Sequence, residues 1–200
     1  MLSGFGLIGV NTDILMYNTL VTNCTSGSVY NLLDGNYVYI NNTFTNYPNA
    51  PAAFNREKDI KTFYAATTTD DIEGGNMVLY MKNNIIYGEN SATEPEDNLD
   101  ELVLVATDNF PFAELTMLNN IIKTNEFDSL FTDLNIINVN PFPVDVNSRP
   151  DKYDFSLEEN SSAVDAGFPE DIPGIIDLSQ DLAGNYRDAF WDIGAYEFVP

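Results

Sequence analysis

Four segments of the chain repeat one pattern of apolar and polar positions. Each has apolar residues, then a polar pair centred on Asn, then apolar residues again. The segments read ILMYNTLV at 14–21, VYINNTFT at 38–45, YMKNNIIY at 80–87 and TMLNNIIK at 116–123. The last Asn of each segment lies at position 18, 42, 84 or 120, which gives steps of 24, 42 and 36 residues. A step of 24 fits one coil of a β-solenoid, and the longer steps fit either one coil with a loop insertion or two coils of which one is poorly marked.

The Asn pair predicts a sharp bend between two strands of a coil. Asn adopts the left-handed backbone conformation more readily than other non-Gly residues, and stacked Asn side chains can hydrogen-bond to one another from coil to coil. We therefore expect the Asn residues of all four segments to lie along one line: Asn18, Asn42, Asn84 and Asn120. Period-2 alternation predicts one apolar column on each side of the bend, inside the coil. These columns are Leu15, Tyr39, Met81 and Met117 before it and Leu20, Phe44, Ile86 and Ile122 after it.

The stretches between the repeats are polar or contain Pro, which is typical of surface loops. The predicted insertions are 48–73, 89–100 and 124–133, and Ala52–Ala66 is the best candidate for a helix. Asn, Thr, Val and Ile crowd the repeats themselves and argue against helices there. The sequence thus predicts an all-β fold, a parallel β-helix with loop insertions over residues 1–140, and leaves a β-sandwich as the alternative.

The character of the sequence changes after Val139. Pro141, Pro143 and Pro150 break regular structure, and four short motifs follow. They are DFSL at 154–157, SSAVDAG at 161–167, DLAGNYR at 181–187 and DIGAYEF at 192–198.

These motifs predict a terminal cap built from tight turns. Glycine permits positive φ, aspartate accepts hydrogen bonds from the backbone N–H groups of a turn, and arginine can pair with one of the aspartates. The residues with these expected roles are Asp165, Gly167, Asp181, Gly184, Arg187, Asp192 and Gly194. A solenoid needs such a cap because an open coil end exposes core and strand edges, and we expect Tyr196 to cover that end.

In this order, the four motifs resemble the C-terminal signature of bacterial β-helix proteins with a choice-of-anchor Q domain, and the Asn-cornered coils are more loosely similar to the pectate-lyase-like superfamily. The resemblance implies a right-handed parallel β-helix whose C-terminal coil and cap span residues 141–200. It also implies secretion and display on a bacterial cell surface. Ser162 stands where the signature has Pro, and residues 188–191 replace a Gly-rich stretch, so we expect altered loops within the same fold. No single activity is implied, because this fold hosts lyases, hydrolases and adhesins.

The charge and composition exclude several kinds of partner and chemistry. With 31 Asp and Glu against 8 Lys and Arg, the net charge is −23, which repels nucleic acids and anionic membranes. His is absent, which excludes Ser–His and Cys–His pairs and His-containing zinc sites. The single Cys24 cannot form an internal disulfide and is expected to be a small buried apolar residue. No run of 18 or more apolar residues predicts a membrane span.

The beginning of the chain resembles the middle of a strand. Met1–Val10 has an apolar run but no basic leader region, and glycine interrupts it. We therefore expect the N-terminal edge to be covered either by upstream coils or by a second copy of the chain.

Candidate catalytic groups are carboxylate pairs and one lysine. Glycosidases use two carboxylates, although adjacent acids also arise by chance in so acidic a chain. The pairs are Asp70–Asp71, Glu94–Glu96–Asp97, Asp100–Glu101 and Glu158–Glu159. By analogy with polysaccharide lyases of this fold, Lys82 is a candidate base, with an outward-facing solubilising residue as the alternative.

Candidate binding groups are basic, acidic and aromatic. A basic cluster suited either to an acidic sugar or to a balanced helix face is Arg56, Lys58 and Lys61. Candidate Ca²⁺ ligands near glycine turns are Asp177, Asp181 and Asp192. Aromatic residues expected on loops are Phe54, Phe63, Tyr64 and Trp191.

These observations favour a non-catalytic segment of a secreted or cell-surface β-helix protein. Such a segment would cap the solenoid and present loops to a polysaccharide, a cell-surface glycan or a partner protein. Two alternatives stay open: part of a carbohydrate-active enzyme, either a polysaccharide lyase or a glycoside hydrolase, and an adhesin.

Overall fold

The computed structural model describes residues 3–22, 24–46, 62–69, 72, 74–88, 100–124, 134–142, 154–170 and 177–200. Within these residues the fold is all-β, with thirteen strands and no helix. This confirms the predicted fold class at that level. In the described residues there is accordingly no helix that is both long enough and apolar enough to cross a membrane.

The strands form three sheets, and the chain visits the sheets in turn. Sheet A contains β1 (Ser3–Val10), β4 (Cys24–Leu32), β7 (Phe63–Ala66) and β10 (Leu102–Val105). Sheet B contains β2 (Ile14–Tyr17), β5 (Gly35–Ile40), β8 (Met77–Lys82) and β11 (Glu114–Leu118). Sheet C contains β3 (Leu20–Val21), β6 (Thr43–Asn46), β9 (Ile85–Gly88), β12 (Ile121–Ile122) and β13 (Ile136–Ile137).

Every pair of neighbouring strands in these sheets is parallel. Three successive strands therefore form one coil, and each coil stacks on the one before it in a β-solenoid-like arrangement. Coil 1 contains β1 to β3, coil 2 β4 to β6, coil 3 β7 to β9 and coil 4 β10 to β12, with β13 following. Parallel pairing excludes the β-sandwich alternative, because sandwiches are built from antiparallel sheets.

Like side chains stack inside the coils and form the main core. The columns follow directly from the strand register. They are Leu7–Val29–Phe63–Leu102 in sheet A, Met16–Tyr39–Met81–Met117 in sheet B, and Val21–Phe44–Ile86–Ile122–Ile137 in sheet C.

The bend between sheets B and C uses the two positions of the Asn pair differently. The first position has positive φ, 54° at Asn41 and at Asn83. The second position forms a buried ladder, in which the backbone N–H and side-chain amide of Asn42 both donate to Oδ1 of Asn84 at 3.0 Å. Asn84 donates in the same way to Asn120, so the Asn residues at 42, 84 and 120 lie along one line.

The alignment predicted for the first coil is wrong by one residue. Asn18 has φ 44° and occupies the position of Asn41, while Thr19 occupies the ladder position and its N–H donates to Oδ1 of Asn42, 23 residues later. The predicted column residue Leu15 is therefore an exposed outward residue, and Leu20 pairs with Thr43 on the outside of the coil.

The long steps between repeats correspond to single coils with insertions. Asn42 and Asn84 are 42 residues apart and lie in adjacent coils. The predicted insertion 48–73 is too long, because β7 within it belongs to sheet A. The predicted helix Ala52–Ala66 is wrong at its C-terminal end, where Phe63–Ala66 is that strand, and residues 52–61 lie outside the described residues.

Candidate functional site

The four C-terminal motifs lie in a segment without regular strands that follows the flank of the coils. We name its described residues, 154–170 and 177–200, the C-terminal clasp. Phe155, Leu157 and Ile193 of the clasp pack with Ile85 and Ile121, which face outward from sheet C. This apolar contact explains why isoleucine occupies the outward positions 85 and 121 of sheet C.

A second apolar contact joins the clasp to sheet B. Leu178 and Trp191 are buried against Ile40, with Val38 and Tyr80 at the margin. The three sheet B residues face outward, because the inner columns of that sheet run through the alternate positions. The clasp therefore covers parts of two sheets at once.

Asp192 connects two of the motifs through backbone hydrogen bonds. Its Oδ1 accepts from the N–H of Asp165 at 2.7 Å, and its Oδ2 accepts from the N–H of Phe198 at 2.6 Å. Burial raises the pKa of this carboxyl above its usual range. Both oxygens already have protein donors, which is the role the sequence predicted for aspartates in these turns.

Asp181 has the same kind of role at a neighbouring turn. Its Oδ1 accepts from the N–H of Asn185 at 2.8 Å, and its Oδ2 accepts from the N–H of Glu197 at 2.8 Å. The third proposed calcium ligand, Asp177, is exposed and accepts from the N–H of Ser179 at 2.9 Å. Among the residues the structure describes, no group of three or more acidic or Cys side chains is arranged to hold a metal ion.

Arg187 is the central charge of the clasp. One Nη donates to Oε2 of Glu197 at 2.8 Å, and the other donates to the carbonyl of Gly194 at 3.0 Å and to Oδ1 of Asn18 at 3.1 Å. The prediction that Arg187 pairs with an aspartate is wrong, because its carboxylate partner is Glu197. Burial lowers the pKa of Arg187 and raises that of Glu197.

The clasp is anchored on three successive coils at their Asn bends. It reaches coil 1 through Arg187 and Asn18, as above. The N–H of Ala195 donates to Oγ1 of Thr43 in coil 2 at 3.0 Å, and the N–H of Gly194 donates to the carbonyl of Asn83 in coil 3 at 2.8 Å. These contacts lie on the flank of the stack. Tyr196 also packs on the flank, in the cluster outside sheet C, whereas the sequence predicted that it would cover the end of the stack.

The glycines of the motifs have two distinct roles. Gly184 and Gly194 have positive φ, 88° and 107°. Gly167 does not have positive φ; there the absence of a side chain permits close approach, since a Cβ would lie 2.7 Å from the carbonyl oxygen of Trp191. Positive φ in that motif falls on Asp165 instead, at 56°.

Lys82 faces outward from sheet B but is covered by the clasp. Its Nζ lies 2.5 Å from Oε2 of Glu170, and its side chain is only 10% exposed. The same carboxylate accepts from the hydroxyl of Tyr80 at 3.1 Å, and burial together with that carboxylate raises the pKa of Tyr80 to about 12. Lys82 therefore serves as an ion-pair anchor for the clasp, a contact that neither sequence interpretation of this residue included.

Asp100–Glu101 is the only predicted carboxylate pair that is both described and buried. Thr124 Oγ1 donates to Asp100 at 2.9 Å, and Thr62 Oγ1 donates to Glu101. Glu158–Glu159 is exposed on a turn. The remaining acidic pairs and the basic cluster lie outside the described residues: Asp70–Asp71, Glu94–Glu96–Asp97, Arg56, Lys58 and Lys61.

The three aromatic candidates that the structure describes do not form a common binding surface. Phe63 is fully buried in the core, and Trp191 of the clasp is 8% exposed and packs against Ile40, so both expectations of an exposed loop position are wrong. Tyr64 is half-buried on the outer face of sheet A, where its ring stacks on that of Tyr30 at 5.1 Å. Phe54 lies outside the described residues.

Several residues that build this region were not predicted from the sequence. Asn135 extends the ladder, since Asn120 donates to its Oδ1, but the step of 15 residues is too short to suggest a coil. Glu170 lies outside the four motifs, and Glu197 lies within DIGAYEF but was not assigned a role, although it is the carboxylate partner of Arg187. Comparison of the chain with protein-family models, with curated proteins and with solved structures finds no match.

Proposed function

We propose that this chain is a non-catalytic, right-handed parallel β-helix segment that serves as a scaffold on the outside of a bacterial cell. Its coils carry the loop insertions, which are the parts offered to a glycan or a partner protein. The observation that supports this most directly is that the side chains of Asp181, Arg187, Asp192 and Glu197 are engaged in hydrogen bonds within the clasp, while the clasp as a whole is bonded to three coils. Right-handed winding is supported by the strong general preference of parallel β-crossovers.

A scaffold role explains why the clasp follows the flank. Each coil of a solenoid contacts only its neighbours, so its stability is a sum of local terms and an end coil can separate from the stack. Contacts from one segment to Asn18, Thr43 and Asn83 couple three coils. Coupled coils keep a fixed spacing between the described strands from which the insertions depart.

The resemblance to the choice-of-anchor Q signature supports the cellular location. The motif residues that carry the resemblance are also the ones that build the clasp, among them Asp181, Arg187 and Asp192. A net charge of −23 is compatible with an extracellular surface protein that contacts neutral glycans.

The geometry around Lys82 favours the scaffold over the lyase alternative. A lyase base must reach its substrate proton directly or through one water, whereas this amine is covered and paired with Glu170. A structural ion pair accounts for both its position and its burial.

The proposal is tested by assaying the intact chain on acidic polysaccharides with and without calcium, following the absorbance of unsaturated uronates. We expect no turnover by the wild-type protein or by Lys82→Met, and we expect the variant to melt at a lower temperature. Lys123→Met is the matched control, because its amine is also partly buried but donates to the carbonyl of Gly88 in sheet C, whereas the amine of Lys82 pairs with Glu170. Turnover by the wild type that Lys82→Met abolishes and Lys123→Met retains would overturn the scaffold proposal.

A further inference from the structure

The side chain of Asp34 folds back onto the peptide bond that follows it. The N–H of Gly35 donates to Oδ1 of Asp34 at 2.7 Å. Because Oδ1 is bonded directly to Cγ, this hydrogen bond holds the carboxyl carbon of Asp34 beside the nitrogen of Gly35. Three other exposed aspartates differ, since their carboxylates accept from the N–H two residues later. They are Asp154, Asp177 and Asp188.

The residue after Asp34 is the one that hinders its own nitrogen least. Asp34–Gly35 is the only Asp–Gly pair in the chain, and no Asn–Gly pair occurs. Glycine has no Cβ to crowd a group that approaches its nitrogen. The bend also requires glycine here, because Gly35 has φ 123° and a Cβ would lie 2.0 Å from the carbonyl oxygen of Thr12. The fold therefore keeps an open nitrogen next to the carboxyl.

Coil 3 restricts the rotation of the Asp34 side chain. A Cβ at Gly75 would lie 2.6 Å from Cβ of Asp34 and 2.8 Å from its Cγ, so the side chain lies directly against the backbone of Gly75. The N–H of Asp34 is itself bonded to Oδ1 of Asn11 at 3.1 Å. Two groups held in contact in this way react faster than groups that must first find each other, because their relative motion is already restricted.

Water reaches this bend in the folded protein. Asp34 is exposed, and an open cavity of about 410 Å³ lies beside it. The cavity is lined by the bends of coils 1 and 2, at Asn11, Thr12, Asp13, Asp34, Gly35 and Asn36. A reaction that releases and then consumes water can therefore proceed here without unfolding.

We propose that Asp34 is a modification site, at which the folded chain forms isoaspartate through a succinimide with water as the only co-reactant. The nitrogen of Gly35 attacks Cγ of the protonated carboxyl, the N–Cγ bond forms, and the amide proton leaves with the carboxyl OH as water. Water then adds to the former backbone carbonyl of Asp34 and breaks its bond to the nitrogen of Gly35. The backbone now runs through Cβ and Cγ, and the former carbonyl carbon carries the free carboxylate. This inference does not depend on the proposed scaffold function.

The product lengthens the bend between sheets A and B of coil 2 by one backbone atom. The carbonyl of Asp34, which accepts from the hydroxyl of Tyr37 at 3.0 Å, becomes part of the new carboxylate. The N–H and the side-chain amide of Asn36 both donate to Oδ1 of Asp13 in coil 1 at 2.8 Å, and the longer backbone displaces them. The contact between coils 1 and 2 therefore weakens as isoaspartate accumulates.

The test follows isoaspartate in the intact chain at neutral pH, both folded and in guanidinium chloride, by peptide mapping and by labelling with an isoaspartyl methyltransferase. We expect Asp34 to react in the folded chain at least as fast as in denaturant, and about tenfold faster than the three aspartates named above. Gly75→Ala should lower the folded rate about threefold and leave the rate in denaturant unchanged, because its Cβ displaces the carboxyl of Asp34. Gly4→Ala is the matched control and should change neither rate, since a Cβ there would have no neighbour closer than 3.5 Å.

Each outcome decides the inference. A slower reaction in the folded chain than in denaturant would overturn it in favour of a rate set by the Asp–Gly pair alone. An unchanged folded rate in Gly75→Ala would overturn the positioning of Asp34 by coil 3. Urea unfolding of the aged protein should show a less stable population in proportion to the isoaspartate, and a single transition at the original midpoint would contradict the weakened contact. Far-UV circular dichroism checks that each variant is folded, and the comparison of folded and denatured wild type decides the inference if Gly75→Ala is not.

Discussion

Replacing Asn84 with Ala tests the ladder on which the stacking of the coils depends. Asn84 is fully buried. Its Oδ1 accepts two bonds from Asn42, and its Nδ2 donates to Oδ1 of Asn120 at 3.0 Å and to the carbonyl of Tyr39 at 2.9 Å. The substitution therefore removes partners from both adjacent coils at once.

The expected loss of stability follows from the groups left without partners. A buried donor or acceptor without a hydrogen bond costs about 1 to 3 kcal/mol. Asn84→Ala leaves the N–H and one amide hydrogen of Asn42 without an acceptor, and it removes one donor each from Oδ1 of Asn120 and from the carbonyl of Tyr39. Rearrangement and entry of water recover part of this, so we expect a decrease of about 3 to 5 kcal/mol in the free energy of unfolding. For a domain with a total stability of about 5 to 15 kcal/mol, that loss is large.

The measurement is urea unfolding followed by circular dichroism at neutral pH. Asn36→Ala is the control, because Asn36 is an exposed residue of sheet B whose amide donates only to the exposed carboxylate of Asp13, and it should cost less than about 1 kcal/mol. Asn84→Asp keeps the size of the side chain but removes the donors, so it separates lost bonds from a cavity. If the free energy of unfolding of Asn84→Ala lies within about 1 kcal/mol of the wild-type value, the ladder does not hold the coils together.

Two further predictions concern the clasp. Gly194→Ala should lower the free energy of unfolding in urea by about 2 kcal/mol more than Gly184→Ala does. Both glycines have positive φ, but only at Gly194 would a Cβ meet a neighbouring atom, Cδ1 of Ile85 at 2.7 Å. Equal losses in the two variants would mean that the clasp is not tightly packed on sheet C. Burial raises the pKa values of the Asp192 and Glu197 carboxyls in the folded protein above their ordinary values near 3.8 and 4.5. The stability that these two groups contribute is therefore fully present below their ordinary pKa values, and it is lost as the pH rises through their raised pKa values in the folded protein. Urea titrations from pH 4 to 8 should show this decrease in the wild type and a smaller one in Glu197→Gln; equal slopes in the two proteins would contradict it.

The stacking could be predicted from the sequence because the bend restricts the residue type. Only a residue that tolerates positive φ fits its first position, which explains Asn41 and Asn83. In the first coil a single Asn is present, so the pattern allowed two alignments that differ by one residue. Thr19 occupies the ladder position, because its backbone N–H donates to Oδ1 of Asn42. Every residue except Pro has a backbone N–H, so this donor leaves no signal in the sequence that could distinguish the two alignments.

The sequence predicts that the clasp consists of turns, but it does not predict which part of the coils the clasp contacts. Aspartate and glycine at short spacing indicate turns from local chemistry alone. The contacts that fix the clasp are remote in sequence: Lys82 and Glu170 are 88 residues apart, and Arg187 and Asn18 are 169 apart. Loop closure over such distances depends on the whole fold, so no local pattern reports it.

One sequence feature nevertheless carries information about the covered flank. An exposed parallel sheet would alternate apolar and polar residues, whereas a strand covered on both faces is continuously apolar. The doublets Ile85–Ile86, Ile121–Ile122 and Ile136–Ile137 directly follow the Asn bends, and their first members pack with the clasp while their second members fill the core or lie beside it. In the second coil the same position is Thr43, whose hydroxyl accepts the N–H of Ala195. The column that faces outward after the bend therefore shows, residue by residue, where the C-terminal segment packs by apolar contact and where it bonds.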